Sequence, residues 1–546
     1  MWFRSRTTNP FMLLSFWLTT RKGLALLFSF ISIIHVIASD NLSKPPVSIK
    51  AKNPIIWADV PDPCIIRVGD VYYMSSTTMH VNPGVPIMKS QDLVNWEIVN
   101  YVYDILAEND EQTLSNGKNE YGKGSWASSL RYHNGIFYVV FSSNACGKTF
   151  VYKTENIEKG PWTRSVLPMF HDMSLFFEDN GQVYLVHGSN NIHITELTSD
   201  VSAVKENGLD QVIIPDASSI AGTEFYVRAE GSHIHKINGK YYIFLITWPR
   251  GKGRAQLVYR ADNLEGPYEG RIALSDAGIA QGGIVETPEG IWYGLLFQDH
   301  GSVGRIPYLV PVTWQDDWPV FGINGKVPQE LDIPAGTGGL SGIVVSDEFD
   351  QYSDNDHLKL VWQWNHNPDN IYWSVTQRPG YLRLINGRID TDFLSTRNTL
   401  TQRTFGPVCS ANIAMDISNM KDGDCAGLGA LQKKYGFVGV RIDGNSKAIV
   451  MVNSSSDTPV EVASVPVTQD NVFLKVDIDF KDRTDKAYFY YSLDGIDWKP
   501  IGNTLQMSYT LPHFMGYRFA LFNYSTKNTG GFVDFDWFRI DANPAL

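Results

Sequence analysis

The stretch "EGSHIHKINGKYYIFLIT", from Glu230 to Thr247, has the pattern of a β-hairpin. A β run with an acidic start precedes Asn238-Gly239, and a run rich in Tyr, Ile and Phe follows it. Asn-Gly is the strongest short hairpin signal, because both central residues of a type I′ turn need a positive φ. The segment therefore predicts two antiparallel strands joined by a tight turn.

Four other segments repeat this pattern of a small or acidic start, a β run, a turn and an aromatic-rich β run. They are "DPCIIRVGDVYYMSSTT" from Asp62, "ASSLRYHNGIFYVVFSS" from Ala127, "DMSLFFEDNGQVYLVHGS" from Asp172 and "GGIVETPEGIWYGLLF" from Gly282. The spacing between starts leaves room for one four-stranded sheet each. Since no hairpin buries its faces alone, the repeats predict a five-bladed β-propeller at residues 50–327.

The second half of the chain has a different pattern. A Pro/Gly-rich segment, "PQELDIPAGTGGLSG" at residues 328–342, predicts a linker. Alternating stretches such as "FLKVDIDF" (Phe473–Phe480) follow it, with turn signals between them. These predict a β-sandwich at residues 343–546, so the expected fold is all-β, a propeller followed by a sandwich.

Composition and charge narrow the range of partners. The 546 residues carry a formal net charge of -12, and no basic stretch follows the N-terminal segment. Nucleic acid is therefore not an expected partner. Aromatic residues make up 13% of the chain, which suits both an all-β core and the stacking of rings on sugars.

The N-terminus predicts a secreted, extracellular protein. Arg21-Lys22 precede an apolar run from Leu24 to Ile37 that ends in small residues. This is the pattern of a signal peptide at residues 1–39, and an uncleaved signal anchor is the alternative. We expect no membrane contact in the mature form. The sequons at Asn41, Asn453 and Asn523 are consistent with a glycoprotein.

The four cysteines form no CxxC motif, so neither a zinc ribbon nor a redox motif is expected. Cys409 and Cys425 are close in sequence and are candidates for a disulfide in an oxidising compartment. Cys64 and Cys146 lie in apolar runs and are expected to be small buried side chains.

Acidic residues recur at the start of the repeats. Residues at the same position in every blade converge on the propeller axis, and the five starts are Asp62, Ala127, Asp172, Glu230 and Gly282. Convergent carboxylates are what glycosidic bond cleavage requires, one as an acid and one to activate water. The alternatives are that these carboxylates cap the starts of the strands or bind a cation.

These blocks resemble glycoside hydrolase family 43, especially its β-xylosidase and α-L-arabinofuranosidase members. The resemblance runs from about Asn53 to Trp318 and rests on "DPCIIRVGDVYY", "GVPIMKSQDLVNW", "DMSLFFEDNGQVYLV", "EGSHIHKINGKYYI" and "FQDHGSVGRIPYL". The later blocks "VWQWNHNP", "RNTLTQRTFGP" and "ALFNYSTKNTGGFVDFDWF" resemble the concanavalin A-like C-terminal domain of the β-xylosidase type.

The resemblance implies an inverting enzyme with three catalytic carboxylates and no organic cofactor. Asp62 corresponds to the general base, Glu230 to the general acid, and Asp172 to the residue that keeps the acid protonated and orients it. Inversion requires roughly 6.5–9.5 Å between base and acid. Asp59 is the rival for the base, but it lies outside the repeat register.

The resemblance also implies substrate-binding residues. Trp126 corresponds to a Trp that lines the sugar pocket, and a buried aromatic between blades is the alternative. Arg305 corresponds to an Arg that contacts sugar hydroxyls. Gln281 stands where many relatives have a His that helps hold a calcium or hydrogen-bonds at the centre, and this departure leaves open whether a central metal is bound. His300 is expected to be structural.

In the sandwich, a structural calcium is a candidate at four carboxylates, with solvated strand ends as the alternative. These are Asp347, Glu348, Asp534 and Asp536. Relatives also extend a loop of this domain over the propeller pocket, and Phe514 and Tyr517 are the candidates for that contact.

The expected function is removal of single xylose or arabinofuranose units from hemicellulose or pectin-derived oligosaccharides and polysaccharides. An endo-arabinanase or an exo-galactanase on the same fold is a second enzymatic possibility. A carbohydrate-binding protein without catalysis is the alternative of a different class. It would be expected to lack one of the three carboxylates, and all three are present.

Overall fold

The structure is a computed structural model that describes residues 50–335, 340, 342–352, 358–456 and 458–544. The predicted signal peptide and the sequon at Asn41 lie outside these residues. Among them, no helix is long and apolar enough to span a bilayer.

The predicted five-bladed propeller is confirmed, and each blade is a four-stranded antiparallel sheet of neighbouring strands. Strand β1 (Lys50–Lys52) precedes blade one. Blade one contains β2 (Cys64–Val68), β3 (Val71–Ser75), β5 (Gly84–Ser90) and β6 (Glu97–Tyr103), and the short strand β4 (Val81–Asn82) lies between β3 and β5 in the chain. Blade two contains β7 (Ser125–His133), β8 (Ile136–Ser143), β9 (Lys148–Thr154) and β10 (Thr163–Leu167), and blade three contains β11 (Ser174–Phe177), β12 (Val183–His187), β13 (Ile192–Leu197) and β14 (Asp210–Ile214). Blade four contains β15 (Phe225–Ile237), β16 (Lys240–Pro249), β17 (Ala255–Ala261) and β18 (Glu269–Leu274), and blade five contains β19 (Ile284–Glu286), β20 (Trp292–Asp299), β21 (Arg305–Gln315) and β22 (Trp318–Phe321).

The predicted concanavalin A-like sandwich is also confirmed. Its strands are β24 (Gln363–Asn365), β25 (Trp373–Ser374), β26 (Leu382–Ile385), β27 (Leu400–Arg403), β28 (Val408–Asp416), β29 (Asp424–Leu431), β30 (Gly436–Asp443), β31 (Ser446–Asn453), β32 (Val460–Pro466), β33 (Asn471–Asp479), β34 (Lys486–Ser492), β35 (Lys499–Pro500), β36 (Leu505–Gln506), β37 (Arg518–Ser525) and β38 (Phe532–Asp541). One sheet has the order β32-β31-β30-β29-β37-β27-β24-β4, and the other has the order β25-β26-β38-β28-β33-β34-β35. Two short 3₁₀ helices lie at Gly301–Val303 and Lys481–Arg483.

The two Asn-Gly turns that flank long strands adopt the backbone that the sequence predicts. Asn134 and Gly135 have φ values of 49° and 84°, and Asn238 and Gly239 have values of 51° and 79°. Positive φ at both positions is the type I′ geometry, whose twist matches that of the strands.

A left-handed residue marks the entry of the innermost strand in four blades. These residues are Asp62, Asp172, Gly231 and Gln281, with φ values between 48° and 68°. Blades four and five therefore differ by one residue from the repeat register that the sequence suggests, in which Glu230 and Gly282 take this position. Glu230 instead lies just before the kink, on a strand with register shifts on both sides of it.

The propeller axis is occupied by the guanidinium of Arg131 from blade two. It donates to the Leu175 carbonyl at 2.8 Å and Ser174 Oγ at 2.6 Å in blade three, and to the Ile234 carbonyl at 3.3 Å in blade four. A side chain that reaches three blades must lie close to the axis. This side chain links blades through the carbonyls and hydroxyl that line the centre.

The propeller and the sandwich form one compact unit over residues 48–546. Strand β4 leaves blade one and pairs with β24 as the last strand of a sandwich sheet. The predicted linker contains a further strand, β23 (Glu330–Pro334), which pairs with β1 and joins the two ends of the propeller.

The expected disulfide between Cys409 and Cys425 is wrong. Cys409 lies on β28 and Cys425 on β29, which belong to opposite sheets, and both thiols are free and buried. The two residues are close in sequence, but the chain crosses from one layer of the sandwich to the other between them.

The side-chain amides of the two sequon asparagines in the sandwich, Asn453 and Asn523, are hydrogen-bonded within the fold. Asn453 Nδ2 donates to Asn503 at 2.8 Å, and Asn523 Nδ2 donates to the Leu384 carbonyl at 2.9 Å. Both side chains are buried, so neither nitrogen is available for a glycan in the folded protein.

Candidate active site

Asp62 and Arg305 form a buried ion pair at the entry of blade one. Arg305 Nη1 lies 2.8 Å from both carboxylate oxygens of Asp62, and both residues are almost fully buried. Burial raises the pKa of Asp62, while the charges of Arg305 and Arg254 oppose that rise. The equal contacts are those of an ionised carboxylate held in one orientation by a guanidinium.

Asp59, the rival carboxylate, has a different set of contacts. Its Oδ1 accepts the backbone N–H of Arg305 at 2.7 Å, and its Oδ2 accepts the backbone N–H of Gly516 at 2.9 Å. Gly516 belongs to the sandwich, so Asp59 ties a sandwich loop to the strand that carries Arg305. Both of its oxygens are engaged by backbone, which is a fixed structural contact.

A second cluster combines Asp172 and Glu230 with a residue that the sequence reasoning missed. His171 Nε2 lies 3.0 Å from Glu230 Oε2 and 3.8 Å from Asp172 Oδ2. The potential ligand atoms of the three residues all lie within 4.8 Å of one another. The spacing suits either a shared proton or a metal ion, and the hydrogen bond between His171 and Glu230 favours proton sharing.

The protonation states of this cluster depend on one another. Burial raises the pKa of Asp172 to about 7, the nearby charges of Glu230 and Asp62 add to that rise, and His171 opposes it. The carboxylate of Asp172 and the hydrogen bond to Glu230 raise the pKa of His171 to about 9. His171 is therefore an imidazolium at neutral pH.

Two aromatic side chains from different domains form the wall of the site. Trp126 and Phe514 stack with ring centroids 5.5 Å apart and planes 16° apart. Arg305 lies over the Phe514 ring at 4.7 Å and donates to its carbonyl at 3.3 Å. Tyr517 is buried and its hydroxyl donates to the Lys434 carbonyl. Of the two loop candidates, Phe514 is the one that reaches the site.

The remaining predicted residues surround this centre. Gln281 is buried, and its side chain packs so closely on Gly231 that a Cβ there would lie 3.0 Å from it. His300 packs edge-on against Trp57 at 4.8 Å and contacts Gln298 at 3.1 Å, which is a structural environment.

The predicted calcium group of the sandwich is not assembled. Asp347 pairs with Lys359 at 2.9 Å, Asp534 with Arg383 at 2.7 Å, and Glu348 with Arg539 at 2.7 Å. Among the described residues, its carboxylates do not lie together at metal-ligand spacing. Because three of the four carboxylates are already paired with cations, the residues do not fit a calcium ion.

A large cavity lies away from the three carboxylates. It has a volume of about 840 Å³ and lies between the segment 114–123 of the propeller and the sandwich segments 388–395 and 512–513. A cavity of only about 10 Å³ adjoins the cluster at Asp172, His171 and Trp126. The candidate active site is therefore identified by its carboxylates and not by cavity volume.

His171 left one signal in the sequence. It is a titratable residue directly before the acidic start of the third repeat, so a search for ionisable neighbours of the predicted carboxylates would have found it. The contact of Phe514 left no such signal, since it depends on the placement of a loop from the second domain.

Comparison with known proteins agrees with this architecture. The family described as "Glycosyl hydrolases family 43" matches residues 51–319, and "Beta xylosidase C-terminal Concanavalin A-like domain" matches residues 346–541. A beta-xylosidase of Formosa agariphila is 28% identical over 90% of this chain and 90% of its own length. A non-reducing end alpha-L-arabinofuranosidase of Bacteroides ovatus is 30% identical over 61% of this chain and 64% of its own.

A solved structure described as a bifunctional GH43-CE protein of Bacteroides eggerthii is 54% identical and superposes with a TM-score of 0.90. The match covers 91% of this chain, which spans 64% of the length of that protein. Together with the two matching family models, these likenesses identify the family. The chain belongs to glycoside hydrolase family 43.

Proposed function

We propose that this protein is a secreted, exo-acting and inverting glycosidase that releases terminal xylose, arabinofuranose or both from plant cell-wall polysaccharides and oligosaccharides. The names of its relatives, a beta-xylosidase and a non-reducing end alpha-L-arabinofuranosidase, support the two sugars. One observation carries the proposal. Asp62, paired with Arg305, and the carboxyl groups of Asp172 and Glu230, which His171 bridges, lie at one site whose wall includes Phe514.

Asp62 acts as the general base. Its carboxylate is held ionised and oriented by Arg305, so it accepts a proton from water as the water oxygen attacks the anomeric carbon. Glu230, a quarter exposed in its side chain, donates the proton to the leaving oxygen as the glycosidic bond breaks. One displacement with inversion completes the reaction.

His171 and Asp172 position the acid. Asp172 lies beside Glu230, and the imidazole of His171 contacts both carboxyl groups. Because His171 is 42% exposed in its side chain, it also connects the acid to solvent.

The wall formed by Trp126 and Phe514 supports exo action. A sandwich loop narrows the space above the carboxylates, and a narrow pocket closed on one side accepts the end of a chain more readily than its middle. An endo-acting arabinanase requires an open groove at this place, which the stacked rings occupy.

The test is a panel of aryl β-xyloside, α-arabinofuranoside and β-galactoside, assayed with the wild type and with Glu230→Gln. We expect turnover of one or both pentosides by the wild type and a large loss in the variant. Proton NMR of the first-formed anomer must show inversion, which corresponds to carboxyl groups roughly 6.5–9.5 Å apart. Binding of polysaccharide without turnover of any glycoside would instead support a lectin.

Secretion has its own test, which is N-terminal sequencing of protein recovered from the medium of expressing cells. A leader cleaved after Ala38 or Ser39 leaves a mature chain that begins at Ser39 or Asp40, and we expect one of these two starts. A chain that begins before Leu24 still carries the whole apolar run and would contradict cleavage.

A further inference from the structure

The hairpin of β15 and β16 extends beyond the catalytic residues. Strand β15 begins at Phe225, five residues before Glu230, whereas β2 and β11 begin only after Asp62 and Asp172. The extension is paired to the end of β16, with Val227 opposite Trp248. The stem of this hairpin therefore stands on the catalytic face of the propeller, above the entry of the other inner strands.

Two aromatic rings lie on this extension. Tyr226 is 61% exposed, and its ring centroid lies 5.2 Å from that of Trp248. Arg250 lies over Tyr226 at 5.4 Å, and Arg254 lies over Trp248 at 4.8 Å. Trp248 is partly buried, and the planes of the two rings are 59° apart. Tyr and Trp side chains that combine an apolar ring with a polar atom at the surface are typical of binding sites.

The same elements connect the rings to the catalytic centre. Tyr226 lies four residues before Glu230 on one strand, a separation of at most roughly 13 Å because the strand has register shifts in this stretch. Arg254, beneath Trp248, is ion-paired with Asp299 at 2.5 Å, and its charge acts on Asp62. The rings therefore lie on the strand pair that carries Glu230 and are displaced from it along the strand.

We propose that Tyr226 and Trp248 form an aromatic platform that binds the leaving-group side of the substrate, and that its ligand is a run of xylopyranosyl backbone rings. This inference rests on the proposed function. Pyranose rings with equatorial hydroxyls present flat C–H faces to aromatic rings, whereas a furanose chain offers no such row of faces. The platform makes the enzyme prefer long pentosans over short glycosides.

The test compares kcat/KM for an aryl β-xyloside with kcat/KM for xylo-oligosaccharides of increasing length, unbranched and with an arabinofuranosyl branch. In Tyr226→Ala and in Trp248→Ala, we expect a loss on the longest oligosaccharides that exceeds the loss on the aryl xyloside roughly three- to tenfold. Tyr132→Ala is the matched control, since Tyr132 is 44% exposed on an inner strand beside the Asn134-Gly135 turn, remote from the catalytic residues. It should match the wild type on every substrate.

A loss that does not grow with chain length would overturn the platform. If the wild type turns over no pentoside, the proposed function fails, and the platform is then judged by binding alone. Isothermal titration calorimetry of the longest xylo-oligosaccharide with Glu230→Gln should show weaker binding when Tyr226→Ala is added. Equal affinity with and without Tyr226→Ala refutes the inference. That result is also the one expected if these rings contact another protein chain and not the sugar.

Discussion

Arg305→Met removes the cation of the buried pair while keeping an unbranched apolar side chain in its place. Nη1 of Arg305 contacts both oxygens of Asp62 at 2.8 Å, and Asp62 is only 5% exposed. Loss of one partner of a buried pair costs about 3–5 kcal/mol, because the remaining charge is left without compensation. Arg254 still favours the ionised form of Asp62, so we expect a loss near the lower end, about 3 kcal/mol at pH 7.

The sign of the pH dependence follows from the proton that Asp62 then binds. Burial already raises the pKa of Asp62, and removal of Arg305 raises it further. The folded variant therefore binds a proton that the unfolded chain has released, and its free energy of unfolding falls as pH rises through the folded pKa. The deficit relative to the wild type should be smaller at pH 5 than at pH 7.

Urea unfolding followed by tryptophan fluorescence measures both effects. The double variant Asp62→Asn, Arg305→Met removes the buried charge together with its partner, so it should recover most of the stability that Arg305→Met loses. The reasoning is refuted if Arg305→Met costs less than about 1 kcal/mol, if its deficit is the same at both pH values, or if the double variant is no more stable than the single one.

Three further predictions follow from other contacts. His171→Asn should lower the free energy of unfolding by about 1 kcal/mol at pH 6 in urea titrations, a value reduced for solvent exposure. The stabilisation from a raised His pKa is present below pH 6.5 and is lost as the pH rises through about 9. A difference between variant and wild type that persists at pH 10 would therefore contradict the prediction. Phe514→Ala should lower kcat/KM for an aryl pentoside roughly tenfold, since it removes a stacked ring from Trp126 and opens the pocket; unchanged kinetics would show that the ring has no contact with substrate. A thiol assay in denaturant without reductant should find four free thiols per chain, and fewer would show a disulfide that the fold does not contain.

The propeller could be predicted from sequence because its signal is local and repeated. The Asn134-Gly135 and Asn238-Gly239 turns fix hairpin positions from two adjacent residues, and the aromatic runs beside them fix the strands. The acidic starts at Asp62 and Asp172 follow from the same register. The position of Glu230 was one residue off the repeat, because register shifts in β15 are not visible in a hairpin pattern.

Contacts between the two domains could not be predicted in this way. Strand β4 is two residues long, and its partner β24 lies far along the chain. The choice between Phe514 and Tyr517 depended on the path of a loop, and the expected disulfide failed because residues close in sequence, Cys409 and Cys425, lie in opposite sheets. Such pairings depend on three-dimensional placement, for which a single sequence carries no local signal.

The shared sheet at β4 limits how this protein can change by recombination. A piece of the catalytic half completes the edge of the sandwich, and Gln363 Nε2 of the sandwich donates to the Pro83 carbonyl beside it at 2.7 Å. Exchange of the C-terminal half for another module would remove three partners of the catalytic half. These are the strand that pairs with β4, the Gly516 backbone N–H that donates to Asp59, and the Phe514 ring that packs against Arg305. A new C-terminal module would have to rebuild all of these contacts, so single substitutions at the pocket rim change specificity with less disturbance of the fold than domain exchange.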